Sequence, residues 1–198
     1  KNELTAGVEY YKTSVENEFA YAGERSINNK AIFVEHRWKF DDSWQLNTGV
    51  RYDKHSEYGS EVTPKIALNK KLDDSSNVYL SWGKVFNAPT TDELYNNNSG
   101  MGLANPNLKP EKGDVWTLGG NTKLSEKTNL SASVFYSKID DAIDWYETNI
   151  VGGEYNGEVW YLWQVENVNK EERRGLEISI NHEFDEYLSA YVSYNYMQ

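Results

Sequence analysis

The sequence predicts an all-β protein, specifically an antiparallel up-and-down transmembrane β-barrel of which the chain supplies about nine strands. Three observations carry this expectation. Segments of about ten residues alternate apolar and polar side chains, the length a tilted strand needs to cross a bilayer. The connections alternate between short polar turns and long loops. Aromatic residues are abundant, with 15 Tyr and 7 Trp among 198 residues, as expected of strands and of the belts at membrane–water interfaces.

Strands are expected near Leu4–Thr13, Ala31–Phe40, Trp44–Tyr52, Thr63–Leu72, Val78–Phe86, Asp114–Leu124, Asn129–Ile139, Arg174–Phe184 and Tyr187–Met197. Ile32, Val34, Trp38 and Phe40 alternate with Phe33, Glu35, Arg37 and Lys39. Trp44, Leu46, Thr48, Val50 and Tyr52 alternate with Gln45, Asn47, Gly49 and Arg51, and the later strands repeat the pattern. A period of two fits a sheet with one apolar face and does not fit a helix. The short turns are 41–43, 73–77, 125–128 and 185–186, and the long connections are 14–30, 53–62, 87–113 and 140–173. Tight turns at one end and long loops at the other mark a membrane barrel. A soluble carbohydrate-binding β-sandwich also alternates, but has less reason to gather its long loops at one end.

Composition excludes several classes. The net charge of -11 opposes nucleic acid, whose phosphates would be repelled. With no cysteine there is no disulfide framework or thiolate metal site. No apolar run reaches the length of a membrane helix, which leaves a barrel open because barrel strands hide from hydropathy averages; the mean hydropathy of -0.78 is therefore weak guidance. Carboxylates are plentiful, yet none forms a singled-out pair, and no serine sits in a nucleophile motif, so no catalytic residues, no cofactor and no enzymatic activity are expected. The acidic loop residues lack the spacing of a calcium loop, and no metal site is expected.

Two stretches carry a family resemblance. The first runs from Val78 through Phe86, Ala88 and Pro89 to Leu94 and Tyr95. The second is Asn105-Pro106-Asn107-Leu108-Lys109-Pro110-Glu111. Arg51-Tyr52-Asp53 followed by Thr63-Pro64-Lys65, and Arg174-Gly175-Leu176-Glu177, agree with them. Together these resemble the TonB-dependent receptors of outer membranes. That resemblance implies a twenty-two-stranded barrel filled by an N-terminal plug, so residues 1–198 are expected to be a partial barrel domain, with the plug and the other strands lying elsewhere. It also implies outer-membrane lipid and a TonB-type energy-coupling protein as partners. The implied cargo is a scarce metal chelate, most simply a ferric siderophore, with cobalamin or haem as alternatives. Haem is disfavoured because residues 90–104 contain no histidine. His36 and His182 fall on the apolar phase of strands and His55 in a loop, while Met101 is a lone candidate axial ligand.

The motif residues Phe86, Ala88, Pro89, Asn105, Pro106, Asn107, Leu108, Pro110 and Glu111 are expected to shape a loop base. The prolines stiffen the chain there and cannot donate to a sheet ladder. Candidate ligand contacts are Tyr95, Met101, Trp145, Tyr146, Trp160, Tyr161 and Trp163, since exposed aromatic clusters often mark binding surfaces. The same aromatics also fit an interfacial belt or an extension of the strands, and residues 149–157 read as a loop tip. Alone, the chain is expected to self-associate through unpaired strand edges.

Overall fold

The computed structural model describes residues 1–17, 23–96 and 102–198. Nearly all of them are strand. In chain order these are β1 (Asn2–Asn17), β2 (Gly23–Lys39), β3 (Trp44–His55), β4 (Gly59–Lys71), β5 (Ser76–Asn87), α1 (Thr91–Tyr95), β6 (Gly102–Leu103), β7 (Glu111–Ser125), β8 (Thr128–Tyr155), β9 (Glu158–Glu183) and β10 (Ser189–Met197). The nine long strands pair antiparallel with their sequence neighbours in one continuous sheet, and β6 alone pairs parallel, with β9. There is one sheet rather than two packed face to face, which removes the sandwich alternative. Among the described residues β1 and β10 are the sheet's two edges, so the barrel wall stays open.

Register turns the alternation into two surfaces. Trp38, Leu46, Leu68, Leu80, Leu118, Val134, Leu176 and Tyr196 are successive cross-strand partners, forming an apolar row across eight strands. Ile66, Trp82, Trp116 and Tyr136 form the neighbouring row, with the two indole rings 5.8 Å apart. Most of these side chains are exposed in spite of their size, with Leu46, Leu68, Trp82 and Leu176 half-buried; Leu118, and Val50 on the same face, keep 48% and 46% of their surface. An exposed apolar band of this extent suits hydrocarbon rather than water.

The opposite face is charged and cross-linked. Arg37 Nη1 meets Glu3 at 3.1 Å, Lys65 meets Glu35, and Arg51 bridges Glu9 at 3.0 Å and Asp53 at 2.9 Å. Asp53 Oδ1 also accepts from Asn29 Nδ2 at 2.7 Å. Thus the Arg51–Asp53 pair of the sequence motif is an ion pair on one strand face, two residues apart.

Three of the four short turns close on side-chain carboxylates, and the fourth, 125–128, on the Ser125 hydroxyl. Asp41 Oδ1 accepts from the Ser43 and Trp44 amides at 2.7 and 2.9 Å. Asp73 Oδ1 accepts from the Ser75 amide at 2.8 Å, and Asp185 Oδ1 from the Tyr187 and Leu188 amides at 2.8 and 2.9 Å. These turns use aspartate to mimic a backbone turn. The donated hydrogen bonds hold the Asp41 and Asp73 carboxyls below their ordinary pKa.

The long connections differ from expectation. Three of the four are mostly strand: β1 and β2 extend to Asn17 and from Gly23, β3 and β4 to His55 and from Gly59, β8 and β9 to Tyr155 and from Glu158. His55 therefore ends a strand rather than sitting in a loop. Residues 149–157 are not a loop tip; strand continues to Tyr155, and the reversal is Asn156-Gly157, with φ 54° and 83°. Positive φ at both positions suits a two-residue hairpin turn of the Asn-Gly kind. The physical reason is the bilayer. Beyond about ten residues neither face of a strand meets lipid, so the period-two apolar signal fades while the backbone ladder continues. Among the described residues, the connection between β5 and β7 is the one that leaves the ladder, and it carries α1 and β6.

Candidate functional site

The excursion between β5 and β7 and the long β8–β9 hairpin meet at one end of the sheet. Pro89, almost fully buried, stops β5 from pairing further. Thr90 then caps α1: its Oγ1 accepts from the Glu93 amide at 3.2 Å, and Glu93 Oε2 accepts from the Thr90 amide at 2.7 Å. Such a reciprocal box satisfies two donors that a helix start leaves free. It fixes the direction of α1, so that Leu94 turns inward.

Leu94, Leu108 and Val165 form a small buried core, with Tyr58, Tyr95 and Ile143 packed against it. It draws on five separate chain segments, and the motif supplies its polar frame. The Asn105 amide nitrogen donates to the Val165 carbonyl at 3.1 Å, and its side-chain oxygen accepts from the Asn107 amide at 3.0 Å. The Asn105 backbone amide donates to the Glu93 carbonyl at 2.8 Å. Glu111 Oε1 accepts from the Ile143 amide at 2.8 Å, and Glu111 Oε2 from Asn87 Nδ2 at 2.7 Å. Phe86 lies beneath Lys112 Nζ, 5.9 Å from its ring centre. Ala88 and Pro110 are half-buried, whereas Pro106 and Asn107 are exposed. The motif residues thus bind the excursion to the strands on either side of it.

The aromatic candidates divide by strand parity. Trp145 pairs with Val165, and Tyr161 and Trp163 share its phase on β9, so these three lie on the face that carries the buried Val165. Tyr146 pairs with Gln164 on the opposite face, its hydroxyl donating to Gln164 Oε1 at 3.0 Å. Trp160 also lies on that opposite phase, against Gly152 and Gly153. A side chain at either glycine would run into the indole, which accounts for two adjacent glycines in a strand. All five rings remain roughly two-fifths exposed. Tyr95 joins the small core, with the Arg25 guanidinium 5.1 Å from its ring centre. Met101 lies outside the described residues.

Below this mouth, on the charged face, is a buried polar group whose assembly the sequence pattern did not show. Asn29, Asp53 and His55 are each at most 7% exposed. His55 Nδ1 accepts from the Glu57 amide at 3.1 Å, its ring lies 5.1 Å from that of Tyr58, and its Nε2 has no hydrogen-bond partner among the described residues. Burial pushes the His55 pKa down and the Tyr58 hydroxyl up to about 12. Asn167 was also missed. Its signal was an asparagine inside a strand-like Val165–Asn169 alternation, where asparagine is disfavoured without a polar task. The arm is acidic, but several charges are paired locally: Glu172 with Lys170, Glu171 with Arg173, and Asp141 with Lys109 at 3.9 Å. Among the described residues no cluster of metal-ligating side chains occurs.

Comparison with known proteins matches this architecture. The family model for TonB dependent receptor-like β-barrels matches residues 1–198. The vitamin B12 transporter BtuB of Photobacterium profundum is 30% identical over 89% of the chain. The probable TonB-dependent siderophore receptor PirA of Acinetobacter baumannii is 26% identical over 82%. The chain spans 27% and 25% of those two proteins, about a quarter of their length. The crystal structure of the siderophore receptor PirA from Pseudomonas aeruginosa superposes on the whole chain with a TM-score of 0.78 at 20% identity, using 36% of that structure. A sheet with one lipid-suited and one charged face, short turns at one end and long arms at the other therefore has a defined place: the chain belongs to the TonB-dependent receptor β-barrel family of the outer membrane, a family of transport receptors and not of enzymes.

Proposed function

We propose that this chain forms part of the barrel of a receptor that binds a ferric siderophore at its outer mouth and imports it, driven by a TonB-type energy-coupling protein. The observation that carries the reading is the placement of Trp145, Tyr161 and Trp163. They stay exposed on the same strand face as Val165, beside the packed Leu94–Leu108 excursion. Planar iron-chelating groups stack on such rings, and rigid aromatic anchors carry a large share of binding energy. The relatives named as siderophore receptors support the same cargo. Cobalamin is the second reading, favoured by the 30% identity to a vitamin B12 transporter.

The test is equilibrium binding to the purified receptor that carries this chain, read by tryptophan quenching with a ferric catecholate, a ferric hydroxamate and cyanocobalamin. Saturable binding of a ferric chelate, weakened by Trp163→Ala, supports the first reading. Saturable binding of cyanocobalamin alone moves the assignment to the second.

A further inference from the structure

The ladder between β8 and β9 skips one residue pair partway along the arm. The ladder runs regularly up to Asp140↔Lys170 and resumes at Ala142↔Val168. Between them Asp141 has φ 53°, a conformation uncommon for a residue with a side chain. Such a residue persists only where its surroundings hold it. What holds it is the side chain of Asn167, across the hairpin. Asn167 Nδ2 donates to the Asp141 carbonyl at 2.7 Å and to the Lys109 carbonyl at 2.9 Å, while Asn167 Oδ1 accepts from the Lys109 amide at 2.8 Å. One amide group thus joins β8, β9 and the excursion that leads into β7.

We propose that Asn167 is a positioning residue that pins the β8–β9 arm at a fixed angle over the barrel mouth. The chemistry requires an amide. The two carbonyls need donors and the Lys109 amide needs an acceptor, and the Asn side chain supplies both from one planar group. Aspartate would keep only the acceptor and would set a carboxylate against two carbonyl oxygens. Leucine, of similar shape, would keep neither. The pin lies two residues from Val165 and shares its strand phase with Trp163, so any freedom at Asp141 passes directly to Trp145, Tyr161 and Trp163. The consequence for ligand rests on the siderophore reading above; the consequence for geometry does not.

The test uses the receptor that carries this chain, reconstituted in lipid, with spin labels at Glu158→Cys beside the arm's turn and at Asp42→Cys in a short turn at the opposite end. With Asn167 present, pulsed electron resonance is expected to give one narrow distance distribution. In Asn167→Leu, and equally in Asn167→Asp if the leucine variant does not insert, the distribution is expected to broaden about twofold, while the heat-modifiable barrel fraction stays unchanged. An equally narrow distribution at the same distance in the inserted variant overturns the proposal. A ligand titration on the same samples is read separately. About tenfold weaker ferric-siderophore binding is expected with the broadened arm. Broadening without any loss of binding leaves the pin in place and counts against the aromatic face as the ligand surface.

Discussion

Leu108→Ala should release the excursion between β5 and β7 without unfolding the barrel. Leu108 is 2% exposed and packs with Leu94 and Val165 in a core that, among the described residues, contains no other buried apolar side chain. The substitution removes about three carbons, worth about 2.4 kcal/mol at ~0.8 kcal/mol per buried methylene. Part of the vacated volume remains as a cavity, which brings the expected cost to about 3 kcal/mol, within the roughly 2–5 kcal/mol usual for such changes. The strand ladders of β2 to β5 do not pass through this core, so the cost falls on the local opening of the excursion. About 3 kcal/mol is a change of roughly 150-fold in an opening equilibrium. Hydrogen exchange measured by mass spectrometry on the receptor in detergent reads this directly. Amides of residues 90–96 and 104–110 should exchange about two orders of magnitude faster, with β3, β4 and β5 unchanged. Unchanged exchange in those two segments, or equal acceleration throughout the barrel, would refute the reasoning.

Four further outcomes are expected. Val50→Arg, on the apolar face at mid-strand, should lower barrel stability by about 2–4 kcal/mol, while Gly49→Ser on the other face should cost much less; denaturant unfolding in lipid vesicles measures both. Gly157→Val should cost about 1–2 kcal/mol locally, because φ 83° places a β-branched side chain in the left-handed region, and it should appear as faster exchange confined to residues 151–161. The folded-state pKa of His55 lies below its ordinary value, so its contribution is present above about pH 6.5 and is lost as the pH falls through the lower folded value. Exchange at 55–59, corrected for intrinsic rate, should therefore rise on acidification, and His55→Phe should abolish that rise. The raised Tyr58 pKa works in the other direction, with a contribution lost as the pH climbs from about 10 towards about 12; an absorbance titration should show one late-ionising phenol that Tyr58→Phe removes.

How legible the molecule was in its sequence depends on what each segment touches. β2, β3, β8 and β9 were legible where lipid meets one face, because Val34, Val50, Val134 and Ile178 recur every second residue. The same strands became illegible beyond the bilayer. Residues 140–155 and 158–173 mix acidic, aromatic and amide side chains on both faces, and their pairing is set by the ladder begun below them. The small core was hidden for another reason. Leu94, Leu108 and Val165 lie far apart in the chain, and each looks ordinary in its own window. The motif around Asn105–Glu111 falls beside this core, but it gave no hint that Asn105 reaches the Val165 carbonyl or that Glu111 receives the Ile143 amide. The aromatic candidates between residues 140 and 173 read as one cluster in sequence. Strand parity divides the five on the arm between two faces, and only register could have shown that.

The central claim is that one face of this sheet meets lipid and the other the barrel interior. Site-directed spin labelling at each position from Leu46 to Asp53 of β3, in the receptor reconstituted in bilayers, tests it most directly. Oxygen accessibility should alternate with period two, high at Leu46, Thr48, Val50 and Tyr52 and low at Asn47, Gly49, Arg51 and Asp53. An alternation of opposite phase, or none, would contradict the account.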